Sequence, residues 1–482
     1  MPNQLLIAGE WTEGKAESSI AVTSPATGEA LGAVPSATPA DIDAAVRGAR
    51  RGADAMEAMP PFERAERCHR AADLIDAHRE ELGRLLTMEN GKPLHTEALP
   101  EVDEAVENFR WMAEEAKRLE TPNLPGADPD KLVMTFRKPN GVYAVISAWN
   151  FPIGIPSELL APGLAGGNAC ILKPSEHTPL VAVRLVELIL EAGFPEGAMS
   201  LVFGESEAGR ELVSHPGVDA IAFVGSQTTG EAIVRAAGLK RTLIEASGNG
   251  PQIVLDDALL PAAAEAAVYG ASFAAGQCCV ATERLLVHES VHDEMVELVL
   301  AEAAKVQLGD PLAETTTMGP LNNEGIAAKM DAHVADARSR DIEVLVGGGR
   351  ASGYPTELYY ELTVADGVGS DALLFREESF GPVVPITTFT DDDEALRLAN
   401  DSDLGLQAAV FTSSLKRAFR FVHGLRAGSI VVNDTTDFWE PHPPFGGASG
   451  TRTGWGRIGG KYTLLDMTDL RTAVIDVQKT RD

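Results

Sequence analysis

From Gly141 onward, short apolar runs alternate with helical stretches, and this alternation constrains the fold more than any other feature. Val142 to Ala148, Ala169 to Leu172, Met199 to Phe203, Ala220 to Val224 and Thr242 to Glu245 are strand candidates. Helical patterns such as Leu180 to Ala192 and Gly230 to Ala237 lie between them. Parallel strands need a crossover of this kind, so the pattern predicts a doubly wound parallel sheet. A second α/β set follows Pro251. Its strands are expected near 252–255, 284–288, 383–389, 408–411 and 429–432, and its helices near 261–275, 289–305, 323–339 and 414–424. With 482 residues the chain is too long for one compact core, and two or three domains are expected.

The flanking segments read differently. Residues 1 to about 35 are short strands and turns, broken at Gly9-Glu10-Trp11 and Ser24-Pro25-Ala26-Thr27-Gly28. Pro39-Ala40-Asp41-Ile42-Asp43 opens a helical region, since acids in a first turn complement the helix dipole. Helical periodicity then runs with interruptions to about Glu120, and Asn90-Gly91-Lys92-Pro93 separates two helices. Residues 121–130 are rich in Pro and Gly and cannot continue a helix, whereas Lys131 to Arg137 alternates like a half-exposed strand. Asp466 to Val477 reads as a final strand.

Composition excludes several classes. No apolar run reaches the roughly 18 to 20 residues that span a bilayer. Met1-Pro2-Asn3-Gln4-Leu5-Leu6-Ile7 lacks a basic region leading into a long apolar stretch, so no secretory signal is expected. Four cysteines without pattern do not form a disulfide framework, and a working thiol needs a reducing compartment; the cytoplasm is expected. Asp plus Glu is 71 against 40 Lys plus Arg, a net charge of −31, and only 12 of the 40 are lysine. Such a surface repels nucleic acid and anionic membrane and suits a salty cytoplasm, where ions screen it.

Two segments carry chemistry. Gly276-Gln277-Cys278-Cys279 holds two of the four cysteines, and Leu243-Ile244-Glu245-Ala246-Ser247-Gly248-Asn249-Gly250 brings one acid to a glycine-rich turn. Adjacent cysteines are as readily two small buried hydrophobes as a nucleophile and its neighbour. A thiolate can attack a carbonyl carbon, and a nearby acid can position water to release the acyl group.

Further segments resolve the ambiguity. Ser147-Ala148-Trp149-Asn150-Phe151-Pro152, Lys173-Pro174-Ser175-Glu176, Phe223-Val224-Gly225-Ser226, Glu377-Glu378-Ser379-Phe380-Gly381-Pro382 and Pro444-Phe445-Gly446-Gly447 accompany those two in chain order. Together the seven resemble the NAD(P)-dependent aldehyde dehydrogenase family. The resemblance implies a Rossmann-like parallel-sheet cofactor domain (1–120 and 141–246), an α/β catalytic domain (247–450) and a small β oligomerisation arm (121–140 and 451–482) whose strands pair between subunits. It also implies a homodimer or homotetramer and a small aldehyde as substrate.

On the same resemblance Cys279 is the nucleophile, Glu245 the base for thioester hydrolysis, and Asn150 an oxyanion donor alongside the backbone N–H of Cys279. Cys278, Cys68 and Cys170 are expected to be core. Trp149, Lys173, Glu176, Gly225, Ser226, Glu378 and Phe380 are expected to hold the cofactor. Gly225 and Ser226 lie between a strand and a helix, where free N–H groups favour a pyrophosphate. A carboxylate at Glu176 accepts from a ribose hydroxyl and repels a phosphate there, so NAD should be preferred over NADP. No metal site is expected.

The sequence also departs from the family. Ser247 stands where many members have glycine, which predicts a stiffer turn after Glu245. Leu159 and Ile458 stand where some relatives carry a lysine and an acid, so a proton path through those positions is closed. The helix around Trp111-Met112-Ala113-Glu114-Glu115-Ala116-Lys117-Arg118 resembles the succinate-semialdehyde branch, whereas Asn433 to His442 and the Arg452 segment resemble a less familiar one. The substrate is expected to be a small polar or carboxylate-bearing aldehyde such as a semialdehyde. A CoA-acylating enzyme and a non-catalytic structural member are the alternatives, and Glu245 together with Cys279 and Asn150 argues against both.

Overall fold

In the computed structural model, residues 4–15 and 18–479 are described, and residues 1–3 of the N-terminal run lie outside them. Two large sheets organise the chain. The first has eight strands in the order Gly454–Trp455, Arg241–Ala246, Ala220–Gly225, Val142–Ile146, Ala169–Lys173, Met199–Leu201, Leu5–Ile7, Glu10–Thr12. Its interior pairs are parallel, and its two ends are closed by antiparallel strands. Strands covered by helices on both faces are buried along their whole length, as Val142–Ile146 and Ala169–Lys173 are.

The second sheet has seven strands in the order Glu343–Val346, Thr363–Asp366, Val383–Phe389, Thr282–His288, Gly250–Val254, Gln407–Phe411, Ser429–Val432. It is parallel apart from its Glu343–Val346 edge. Each sheet has its own apolar core. A small third cluster of Cys278, Val280, Ala281 and Leu406, packed against Phe151, Cys279 and Phe445, fills the seam between them.

The expected strands and crossover helices all form, with boundaries shifted by at most three residues. The region from Pro39 to Ala116 is four α-helices (Pro39–Ala58, Pro61–Ala77, Arg79–Asn90, Leu99–Ala116) with a π-helical turn at Leu94–Ala98. Gly91 closes the third of these helices at φ +99°, a conformation that favours glycine. Glu343–Val346 and Thr363–Asp366 were not anticipated as strands, because the first is half exposed and the second only four residues long.

The C-terminal segment departs furthest from expectation. Thr468–Asp476 and Lys131–Pro139 pair antiparallel with each other over nine residues. Asp466 belongs to the preceding helix Gly460–Asp466, not to the strand. Gly454–Trp455 enters the first sheet, and Ile458, Leu464 and Met467 join that sheet's core. The stretch after residue 450 therefore builds the first lobe as well as the small sheet.

Candidate active site

The nucleophile candidate follows a strained turn. Ala274, Ala275 and Gly276 all take left-handed backbone conformations (φ 52°, 52° and 73°). For a residue with a Cβ this costs about 1–2 kcal/mol, so it persists only where surroundings impose it. Here they do. Glu97, from the π-helical turn, accepts from Ala274 N at 3.0 Å, and Gln277 Nε2 donates to Ala274 O at 2.8 Å. Gln277 Oε1 accepts from Asn322 N at 2.8 Å. A Cβ on Gly276 would fall on the backbone of Gly381, so only glycine fits.

This brace points the two cysteines to different places. Cys278 is 4% exposed and packed in the seam cluster, as expected of a filler. Cys279 is less buried and lines a cavity of about 170 Å³ with Asn150, Glu245, Trp149, Glu378 and Phe380. The neighbouring Cys278 thiol, burial and the charge of Glu245 hold the Cys279 thiol well above the usual cysteine range, so a base must relieve it of its proton. Cys68 and Cys170 are fully buried, and burial pushes each thiol up to about 12.

Glu245 stands near the end of Arg241–Ala246, 3% exposed, and its Oε1 has no hydrogen-bond partner. Burial, then the charge of Glu378, pushes its carboxyl up to about 8. After it, Ser247 adopts φ +65° in spite of its Cβ, and its carbonyl accepts from Thr453 Oγ1 at 3.1 Å. This hydrogen bond ties the turn to the Thr453 segment. Gly248 lies flush on the Cys279 backbone, where a Cβ would fall on the carbonyl oxygen. Asn150 is 4% exposed and donates from Nδ2 to Gln277 O at 3.0 Å. That bond uses one of its two amide hydrogens and leaves the other for the cavity.

Trp149 and Phe380 meet edge to face with centroids 5.5 Å apart. Asn90 Nδ2 donates to the Trp149 carbonyl at 2.8 Å. Phe380 has φ +55°, and Glu283 is the reason: its carboxylate accepts from Ser379 N and Phe380 N at 2.8 and 2.9 Å. Glu378 Oε1 accepts from Gly248 N at 2.9 Å, which ties this acid to the turn after Glu245. Gly225 ends its strand, and Ser226 caps the helix Gln227–Ala237 by accepting from Thr229 N at 3.3 Å.

A second cleft of about 570 Å³ shares Ser226, Ser247, Lys329 and Glu378 with the first. Lys173 and Glu176 line neither; they lie past the carboxyl end of Ala169–Lys173, with Nζ and Oε2 4.0 Å apart. Their strand is two places from the one ending at Gly225, on the sheet edge where such folds take dinucleotides. The sequence reading missed Glu283, Lys329 and Ile326, which reach this site from elsewhere and carry no local motif. Leu159 and Ile458 are buried in the first core and offer no proton-bearing group.

Fold and site together define a two-lobed α/β enzyme whose cysteine and carboxylic acid face a cleft between its sheets. The chain belongs to the aldehyde dehydrogenase family, whose model matches residues 11–473. It is an oxidoreductase acting on an aldehyde group. Over 477 residues it is 36% identical to glutarate-semialdehyde dehydrogenase of Pseudomonas putida, covering 98% of both chains. Over 471 residues it is 36% identical to the NADP(+) succinate-semialdehyde dehydrogenase of Escherichia coli, covering 97% of this chain and 96% of that one. The crystal structure of succinate-semialdehyde dehydrogenase from Burkholderia pseudomallei superposes with a TM-score of 0.95 at 34% identity, covering 98% of both.

Proposed function

We propose that the protein oxidises a small polar aldehyde to its carboxylate through a thioester on Cys279, with NAD preferred over NADP. The observation that carries this reading is the shared cavity of Cys279, Glu245 and Asn150. The Cys279 thiol gives up its proton to solvent and its sulfur adds to the carbonyl carbon. The free amide hydrogen of Asn150 and the Cys279 N–H hold the oxygen as it becomes anionic. A nicotinamide dinucleotide, when bound, supplies the hydride acceptor. Ser226 and the helix it caps suit the pyrophosphate, while Glu378, Phe380 and Trp149 frame the inner cavity. Once the thioester has formed, ionised Glu245 draws a proton from the attacking water.

The semialdehyde names of the relatives support a short substrate with a polar or charged group at its far end. Glu176, half-exposed beside Lys173, supports NAD because a carboxylate repels a ribose phosphate. The first sheet with its helices (1–120 and 141–246) serves as cofactor domain and 247–450 as catalytic domain. The small sheet leaves Leu132, Phe136, Leu470 and Val474 exposed, which supports its use between subunits of a homodimer or homotetramer. The thiol chemistry supports a reducing compartment such as the cytoplasm.

Rapid mixing with aldehyde and NAD tests the reading. Cys279→Ala should give no NADH, and Glu245→Gln should give a burst of one NADH per site followed by a slow steady state. An unchanged steady state in Glu245→Gln, accelerated by CoA, would instead indicate thiol resolution of the thioester.

A further inference from the structure

Asn150 stands in a loop that a distant part of the chain grips on both sides. The grip comes from residues 90–101, which run from the end of helix Arg79–Asn90 through the π-helical turn into the first turn of Leu99–Ala116. Just before Asn150, the Trp149 carbonyl accepts from Asn90 Nδ2 at 2.8 Å. Just after it, the Phe151 ring lies under the Lys92 ammonium, with Nζ 3.3 Å from the ring centroid. Further along, Ile153 N and Gly154 N donate to Glu101 Oε1 at 2.9 and 3.0 Å.

Lys92 and Glu101 act as one unit. Lys92 Nζ donates to Glu101 Oε2 at 2.7 Å, and each residue is only 3% exposed. The carboxylate caps helix Gly154–Ala165, because Ile153 at the N-cap has no polar side chain to do so. The ammonium sits between that carboxylate and the ring next to Asn150. The far side of the loop is tied as well. Asn150 Nδ2 donates to Gln277 O at 3.0 Å, Gln277 Oε1 accepts from Asn322 N at 2.8 Å, and Asn322 Nδ2 donates to Asn90 O at 3.1 Å. Hydrogen bonds thus run in a closed ring from Asn90 through the Asn150 loop and the turn before Cys279 and back.

A buried ion pair gives little stability over an apolar pair of the same shape, so stability does not account for burying these two charges. What they fix is direction. A carboxylate that accepts two neighbouring N–H groups sets the path of the turn, and an ammonium over a ring face sets where that ring can lie. An oxyanion donor has most to gain from such fixing. Its worth depends on being aimed before the charge develops, and a displacement of about 1 Å is enough to forfeit much of it.

We propose that Lys92 and Glu101 are positioning residues for the oxyanion donor, acting through Phe151 and the Ile153–Gly154 turn to keep the Asn150 amide aimed at the carbonyl oxygen. The inference rests on the thioester reading above. The test uses p-nitrophenyl acetate, an activated ester. The Cys279 sulfur adds to its carbonyl carbon, the oxygen becomes anionic, and p-nitrophenolate leaves as the thioester forms, so neither the identity of the aldehyde nor the cofactor enters. Alkylation of Cys279 by iodoacetamide, read by tandem mass spectrometry, is the control, because displacement of iodide builds no anionic oxygen.

Asn150→Ala should slow the p-nitrophenolate burst by about a hundredfold or more. Lys92→Met with Glu101→Gln removes both charges and leaves neither buried alone. This double variant should slow the burst by about tenfold and keep alkylation within about twofold of wild type. Added to Asn150→Ala, it should slow the burst by less than about twofold further, since the two changes remove the same interaction. An unchanged burst in the double variant, an equal loss in alkylation, or a further loss of about tenfold on top of Asn150→Ala overturns the proposal. If the double variant does not fold, Phe151→Leu decides by the same three measures, with the same pattern expected. A burst that is absent from the wild type or persists in Cys279→Ala overturns the thioester reading and this inference with it. An unchanged burst in Asn150→Ala overturns the oxyanion role of Asn150, and so the inference too.

Discussion

At the scale of single residues, the adjacent cysteines differ by environment and not by chemistry. Cys278 fills the apolar seam at 4% exposure, while Cys279 opens into the cavity beside Glu245. Cys278→Ala should therefore keep most of the activity and lower stability by about 1 kcal/mol, as for a small buried truncation. A denaturation midpoint and a steady-state rate check both. The acid sets the pH dependence. Hydrolysis needs ionised Glu245, whose carboxyl is raised to about 8, so the wild-type steady-state rate should climb through about pH 8 and fall below it. In Glu245→Gln that rise should disappear from a pH–rate profile of thioester hydrolysis.

At the scale of elements, the site is a set of turns locked against each other. The left-handed turn Ala274–Gly276, the Ser247–Gly248 turn and the turn at Phe380 all violate ordinary backbone preference. Buried polar groups compensate: Glu97 for the first, Thr453 for the second and Glu283 for the third. Fully buried Arg284 adds to this by donating to the carbonyls of Asn249, Leu398 and Ala399. Gly248 is the most exacting position, because its neighbour is the nucleophile's own carbonyl. Gly248→Ala should displace Cys279, cost about 1–3 kcal/mol and reduce kcat far more than cofactor affinity. A melting curve, kinetics and NAD titration separate the effects.

For the whole molecule, the net charge of −31 is the governing quantity. Arginine forks gather acids into clusters, as where Arg417 reaches Asp256, Asp257 and Asp392 at 2.6, 2.9 and 2.5 Å. With 71 acids against 40 Lys plus Arg, however, most of the excess has no cation to meet. Such repulsion extends about 10 Å at 0.1 M salt and about 3 Å at 1 M. It is released on unfolding or on subunit dissociation. The melting temperature and activity should both rise from low to molar KCl, and any oligomer should loosen in dilute buffer. A melting temperature that stays flat across the KCl series would leave the acidic surface unexplained by salt.

Hydrophobic alternation determined where most of the parallel strands and several crossover helices lie, because each must bury an apolar face and its period records which; the short parallel strand Thr363–Asp366 escaped it. Cys279, Glu245 and Asn150 were marked by short local motifs that the family resemblance makes legible. Tertiary structure decided what has no local signature. Glu283 lies far in sequence from the Phe380 turn it holds, and Gly454–Trp455 is too short to announce a place at the edge of a sheet. The same holds for Glu97. Read along the chain it is one acid in a helical region, and only packing brings its carboxylate to the Ala274 N–H that it holds. Its role lies in the backbone group it meets across the fold, a property of three-dimensional neighbours that no linear pattern encodes.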